Sequence, residues 1–336
     1  MKKALKNEVI MMSILLVVIL AIVLSCGAVT PIANAFESDE LSVQEINTEE
    51  YAVKKYSNVS NYLRASKKSR SNSNSNSYAV FGLTEYEMTN LKDSVDRAKS
   101  IMVQETLLKV EVDDNGEVVS TLAMNPVTTS VSWDDIPNNK GKTGYMSARI
   151  TIVQDPALDK FTYRDGKNYF TSYGFKVTAN MTWKKTPTYR MTDVFAICGW
   201  DGGVYCEDAG DCKFTASYTF TASTGTSYST SNINVSPYFT AGGWPSYKFN
   251  LPNNISSPQA STRYSNMQVN STLVMYASDD FNVQIGYAHK EICVGNISVS
   301  FPKSISFTCG TSMRAYYTPG CHVDLVKDPE REAAKL

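Results

Sequence analysis

Residues 213–222 read KFTASYTFTA, with Phe214, Ala216, Tyr218 and Phe220 in one register and Thr215, Ser217 and Thr219 in the other. Strict alternation is the period of a half-buried β-strand and conflicts with the 3.6-residue period of a helix. Candidate strands recur at 146–153, 169–183, 191–198, 232–239, 246–251, 267–276, 282–289, 292–301, 305–309 and 313–317. Many short strands separated by Gly, Pro, Asn and Asp predict an antiparallel β-sandwich, with a barrel as the alternative. Residues 107–112 and 117–122 form a further candidate hairpin around Asp113-Asp114-Asn115-Gly116, since Asn-Gly favours the positive-φ turn that matches strand twist. An EF-hand calcium loop is excluded there, because its glycine stands at position six and Gly116 stands at position four.

One amphipathic helix precedes the strands. Thr84-Glu85-Tyr86-Glu87 fits a capping box, in which the Thr hydroxyl and the Glu carboxylate each take an orphan backbone N–H. Met88, Leu91, Val95, Ala98 and Met102 then repeat at three- and four-residue spacing, an apolar stripe of about five turns that packs on a sheet.

The N-terminus carries an export signal. Lys2, Lys3 and Lys6 precede an apolar run from Ile10 to Leu24, and Ala33-Asn34-Ala35 fits a small-x-small cleavage site. Two alternatives are an uncleaved signal anchor and a lipidated Cys26 in Leu24-Ser25-Cys26, and these are the two routes to membrane attachment that the sequence offers. The predicted organisation is a signal peptide at 1–35, a disordered Ser/Asn-rich spacer at 36–83, a β-sandwich domain with its leading helix at 84–325, and a charged tail at 326–336 that frays. The spacer assignment rests on an acidic run from Glu37 to Glu50, a basic run from Lys54 to Arg70, and the tract SRSNSNSNS at 69–77, none of which buries apolar surface. The expected location is extracellular, with anchoring at the cell surface as the alternative.

Charge narrows the partners. Loss of residues 1–35 removes three Lys and one Glu and takes the formal charge from -1 to -3. No basic patch answers to phosphates, so nucleic acid is not an expected partner.

Six cysteines survive export: Cys198, Cys206, Cys212, Cys293, Cys309 and Cys321. An even count on an extracytoplasmic route predicts disulfides. Cys206 with Cys212 closes a short loop, and Cys198–Cys293 with Cys309–Cys321 would complete one of 15 possible pairings. Zinc is disfavoured, since CxxC spacing is absent.

The densest chemistry lies in CGWDGGVYCEDAGDC at 198–212. Asp201, Glu207, Asp208 and Asp211 are candidate calcium ligands, hard oxygens in one short segment, although the spacing fits no standard calcium loop. Trp200, before Asp-Gly-Gly, and Trp244, within Ala-Gly-Gly-Trp-Pro, are candidate ligand-binding aromatics, each on a predicted loop. Each could instead plug an end of the core.

Catalytic signals are sparse. His289 and His322 are the two histidines, and neither G-x-S-x-G nor H-E-x-x-H occurs. The acid pairs Asp134-Asp135 and Asp279-Asp280 would point to opposite faces if in strands. Sequons at Asn58, Asn180, Asn234, Asn254, Asn270 and Asn296 carry weight only in a glycosylating host. The sequence therefore points to a secreted or cell-surface non-catalytic binding module for a glycan or a protein, needing no cofactor unless calcium. The alternatives are a secreted hydrolase of glycan or envelope material that uses carboxylates, and a secreted toxin or antagonist.

Overall fold

The computed structural model describes residues 40–69, 77–112, 118–127, 143–183, 193–206, 212–222, 224–225, 227–233, 235, 238–239, 243–250, 255–256, 261–290, 298–300, 304–308 and 313–335. The chain opens with β1 (Ser42–Asn47), β2 (Ala52–Ser57) and α1 (Val59–Ser69), then α2 (Glu85–Arg97). β3 (Ser100–Val112), β4 (Val118–Met124), β5 (Thr143–Gln154), β6 (Lys160–Arg164) and β7 (Lys167–Trp183) follow. Next come β8 (Asp193–Trp200), β9 (Lys213–Ala222), β10 (Ser227–Ile233), β11 (Tyr238–Phe239), β12 (Pro245–Phe249) and β13 (Ile255–Ser256). The long β14 (Ser261–Ala277) and β15 (Phe281–Lys290) precede β16 (Ser298–Ser300), β17 (Ser306–Thr308), β18 (Met313–Tyr317), β19 (Cys321–Val323) and a short α3 (Pro329–Ala333).

These strands pair antiparallel into two principal sheets. The larger runs β1-β2-β3-β5-β7-β14-β9-β10, with β4, β6 and β13 attached. The smaller runs β11-β12-β8-β15-β18, with β19 on β15. Aromatic rings bridge them: Phe175 of β7 meets Phe281 of β15 at 4.9 Å, and Trp183 meets Tyr287 at 4.4 Å. Phe214 of β9 stacks on Tyr247 of β12 at 4.6 Å. Such pairs fix the spacing of a sandwich core beyond the effect of buried area alone.

The helices cover the other face of the larger sheet. Leu91 and Val95 of α2 share a second core with Val59 and Leu63 of α1, Tyr56 of β2, and Ile101 and Val103 of β3. The capping box forms: Glu87 N donates to Thr84 Oγ1 at 3.2 Å, and Thr84 N donates to Glu87 Oε2 at 2.7 Å. Buried Glu87 also meets Arg149 of β5 at 2.9 Å, so the cap ties helix to sheet.

Three sequence expectations change. The helix stops at Arg97, with Ala98 as its C-cap, and Met102 lies on β3. Met102 enters the sandwich core while Ile101 and Val103 enter the helix core, because successive strand residues face opposite ways. Residues 42–69, read as spacer, form two strands and a helix. The opposed charge runs are partners there: Glu45 stands across from Lys54 and pairs with it at 2.8 Å, while Ala52, Val53, Tyr56, Val59 and Leu63 supply apolar burial. The Asn/Ser repeat at 70–76 lies outside the described residues. The charged tail docks rather than frays: Phe170 N donates to Ala334 O at 3.1 Å, and Tyr173 Oη donates to Glu332 at 2.6 Å.

Candidate functional site

Trp200 ends β8, and the chain turns sharply behind it. Asp201, Gly202 and Gly203 adopt φ of 64°, 54° and 64°, the left-handed region. The turn docks on the one between β14 and β15. Gly202 O accepts from Ser278 N at 3.0 Å, Asp279 N at 3.2 Å and Ser278 Oγ at 3.1 Å. A Cβ on Gly202 would stand 2.3 Å from Asp280 O, so this approach requires glycine.

That docking sets a cross-strand row. Asn282 of β15 is the register partner of Trp200 on β8 and of His322 on β19. Directly opposed residues share a face at about 5 Å spacing. Asn282 Nδ2 donates to Asp201 Oδ2 at 3.1 Å, and Asn282 Oδ1 lies 3.3 Å from His322 Nδ1. His322 Nε2 lies 3.3 Å from Asp324 Oδ1, and Asp324 also pairs with Lys55. The Trp200 ring rests on Gly320, where a Cβ would come within 3.0 Å of two ring atoms. An indole, an amide, an imidazole and a carboxylate therefore share one solvent-facing rim.

Next to the row, the acid pair anchors the C-terminal segment. Asp280 Oδ1 accepts from Leu325 N at 2.8 Å. Asp279 pairs with Lys327 at 3.0 Å, and that ammonium, with the backbone N–H of Asp280, holds its carboxyl below the usual range. Asp280, His322 and Asp324 each offer a ligand atom, all within 4.8 Å of one another and exposed. A mixed carboxylate and imidazole set suits a borderline divalent ion such as zinc better than calcium.

Of the four calcium candidates, Asp201 belongs to this rim through Asn282, and Glu207, Asp208 and Asp211 lie outside the described residues. The two tryptophans separate: Trp200 is half-buried at the rim, whereas Trp244 is only 6% exposed and sits in the sandwich core. His289 lies on β15, opposite Asp193 and Arg314 in register, away from the His322 row.

Among the described residues no two cysteine sulfurs lie at bonding distance. Cys206 and Cys212 come within 3.8 Å, against about 2.05 Å for a disulfide. Cys198 and Cys321 are buried, and burial pushes each thiol up to about 12, which disfavours the reactive thiolate. Their suggested partners Cys293 and Cys309 lie outside the described residues. Two sequons face each other inside the larger sheet, where Asn180 Nδ2 donates to Asn270 Oδ1 at 2.7 Å.

A groove of about 430 Å³ lies elsewhere, between β2 and residues 79–82, with Tyr56, Phe81, Glu105 and Arg149 in its lining. The Arg149 guanidinium there is held by Glu87, Glu105 and Gly82 O, so its donors are already committed to the fold.

Sequence reasoning marks Trp200, Asp201, His322 with the nearby Asp324, and the 279–280 pair separately, and misses Asn282. Nothing local marks the row, because it depends on which strands pair.

No protein-family model matches the sequence, and no curated protein matches it. Several solved structures align over much of the chain at low similarity. Clostridium perfringens delta-toxin is 7% identical, with 87% of this chain and 98% of that one covered and a TM-score of 0.26. A structure described as a pore forming protein is 6% identical, covering 64% of this chain and 90% of its own, at 0.21. AvmM, described as catalysing macrocyclization in alchivemycin A biosynthesis, is 13% identical, covering 51% and 97%, at 0.19. At these TM-scores none of the likenesses assigns this chain a family or a role.

Proposed function

We propose that the chain is an exported, non-catalytic binding module that recognises a glycan at the Trp200–Asn282–His322 row. One observation carries the reading: three segments far apart in sequence bring an indole, an amide and an imidazole into adjacent register on one rim, with Asp201 and Asp324 flanking them. A sugar presents an apolar C–H face and vicinal hydroxyls. The indole matches the first, and the amide and carboxylates match the second with several acceptors and one amide donor. In this reading residues 1–35 direct export, the sandwich acts outside the cell, and Cys206 and Cys212 join once oxidised.

Glycan-array binding of the purified chain tests the proposal, with Trp200→Ala and Asn282→Ala alongside. Each substitution is expected to weaken binding about tenfold or more while leaving the unfolding transition cooperative. A blank array, or wild-type binding by both variants, would overturn it.

A further inference from the structure

The imidazole of His322 is oriented by groups that can only accept a hydrogen bond. Asp201 sets the order. Its carboxylate has no proton to give, so the contact of Asn282 Nδ2 with Asp201 Oδ2 at 3.1 Å fixes which end of the Asn282 amide faces which way. Asn282 Oδ1 then faces His322 Nδ1 at 3.3 Å. An amide oxygen also only accepts, so the ring proton lies on Nδ1, and the neutral imidazole carries its lone pair on Nε2.

That lone pair meets another acceptor. Asp324 Oδ1 stands 3.3 Å from His322 Nε2, while the other oxygen of Asp324 is taken by Lys55. Asp280 is arranged alike: its Oδ1 accepts from Leu325 N at 2.8 Å, which leaves its second oxygen. Asp280, His322 and Asp324 thus bring one ligand atom each within 4.8 Å of the others, and all three are exposed.

Three electron-pair donors converge here with no donor hydrogen between them. Two species answer that arrangement, a proton on Nε2 or a divalent cation. The spacing favours the cation. A charge-assisted N–H···O bond runs about 2.7–2.9 Å, whereas neighbouring ligands of a tetrahedral zinc, each about 2.0–2.1 Å from the ion, stand about 3.3–3.4 Å apart. Metal-bound histidines also pass their second ring N–H to a carbonyl or carboxylate. Asn282, backed by Asp201, supplies that contact from the neighbouring strand. Calcium prefers a shell of six to eight oxygens, and an imidazole nitrogen with two carboxylates suits zinc better.

We propose that Asp280, His322 and Asp324 form a zinc site, with Asn282 and Asp201 as the positioning groups behind the imidazole. The site uses none of the cysteines. Asp280 belongs to the turn between β14 and β15, whereas His322 lies on β19 and Asp324 just beyond it, so the ion fastens the start of the C-terminal segment to that turn. Three protein ligands leave one coordination position to solvent. The proposal is independent of the glycan reading, and the metal alone is its probe.

The test is calorimetric titration of the chelator-treated full chain with zinc chloride, with calcium chloride in parallel. One zinc per chain is expected, with calcium bound at least about 100-fold more weakly. His322→Ala is expected to weaken zinc about 100-fold or more. Asn282→Ala keeps all three ligands and should still cost about tenfold. Cys206→Ser, which removes a thiol outside the site, should stay within about threefold of wild type. Zinc should raise the melting temperature of wild type and not that of His322→Ala, and matched melts without metal confirm that the variants fold. The proposal fails if zinc does not bind saturably, if calcium binds as tightly, or if His322→Ala and Cys206→Ser weaken zinc equally. Wild-type affinity in Asn282→Ala would overturn the positioning role.

Discussion

The segment from Cys198 to Cys212 separates two regions built on opposite principles. On its N-terminal side, the rim around Trp200 is dense in charge and held by hydrogen bonds: Gly202 O takes three, and Asn282 links Asp201 to His322. On its C-terminal side, β9 and β10 carry no charge beyond Lys213, and β9 is half-exposed from Ser217 to Ala222. Both regions are antiparallel β-structure. The difference lies in what the side chains do: polar side chains pin the rim to the C-terminal segment, whereas β9 is held by its backbone ladder with β14 and by the burial of Phe214 and Ala216 in the sandwich core.

The largest test of this contrast is a pair of truncations. Phe281→Ala, at the root of the rim and fully buried, is expected to cost about 3–5 kcal/mol in urea unfolding. Phe220→Ala, half-exposed on the hairpin, is expected to cost about 1 kcal/mol or less. Equal costs would make the hairpin part of the core and end the comparison. Gly202→Ala comes next, with a loss of about 2 kcal/mol, because alanine is strained at positive φ and its Cβ would press on Asp280 O. A loss below about 0.5 kcal/mol would mean that the two turns part easily. Native-state hydrogen exchange should then rank Val283 above Thr219 by roughly 2 kcal/mol of protection, and a reversed order would contradict the assignment of the rim as the rigid side.

The smallest effect concerns pH. The folded-state pKa of Asp279 is depressed by Lys327, so the contribution of the pair is present above the unfolded pKa and is lost as pH falls through the folded one. Lys327→Ala should move the Asp279 carboxyl titration upward by NMR, and an unmoved titration would remove Lys327 from the rim. High salt should shrink the wild-type shift, since both groups are on the surface.

Much of the architecture is readable from local pattern. Alternation at 213–222 specifies β9, and the Thr84–Glu87 box specifies the start of α2, because both signals are written in neighbouring residues. Met102 defeats a local reading because an apolar residue four positions after Ala98 extends a helical stripe and equally begins a strand. Residues 42–69 defeat it because opposite charge runs look solvated until Glu45 is set against Lys54. The candidate site is legible only in fragments. Trp200 and Trp244 stand in similar Gly-flanked contexts, yet one reaches the rim and the other fills the core.

By itself, then, the sequence determined strand content, helix capping and the absence of charge from 214 to 247, since periodicity, capping and composition act over a few residues. The tertiary structure alone decided that Trp200, Asn282 and His322 form one row, that Trp244 is buried, and that β10 stands last in the larger sheet among the described residues. Those outcomes depend on strand order and register between segments up to about 120 residues apart, which come from the packing of whole sheets and not from the neighbours of any one residue.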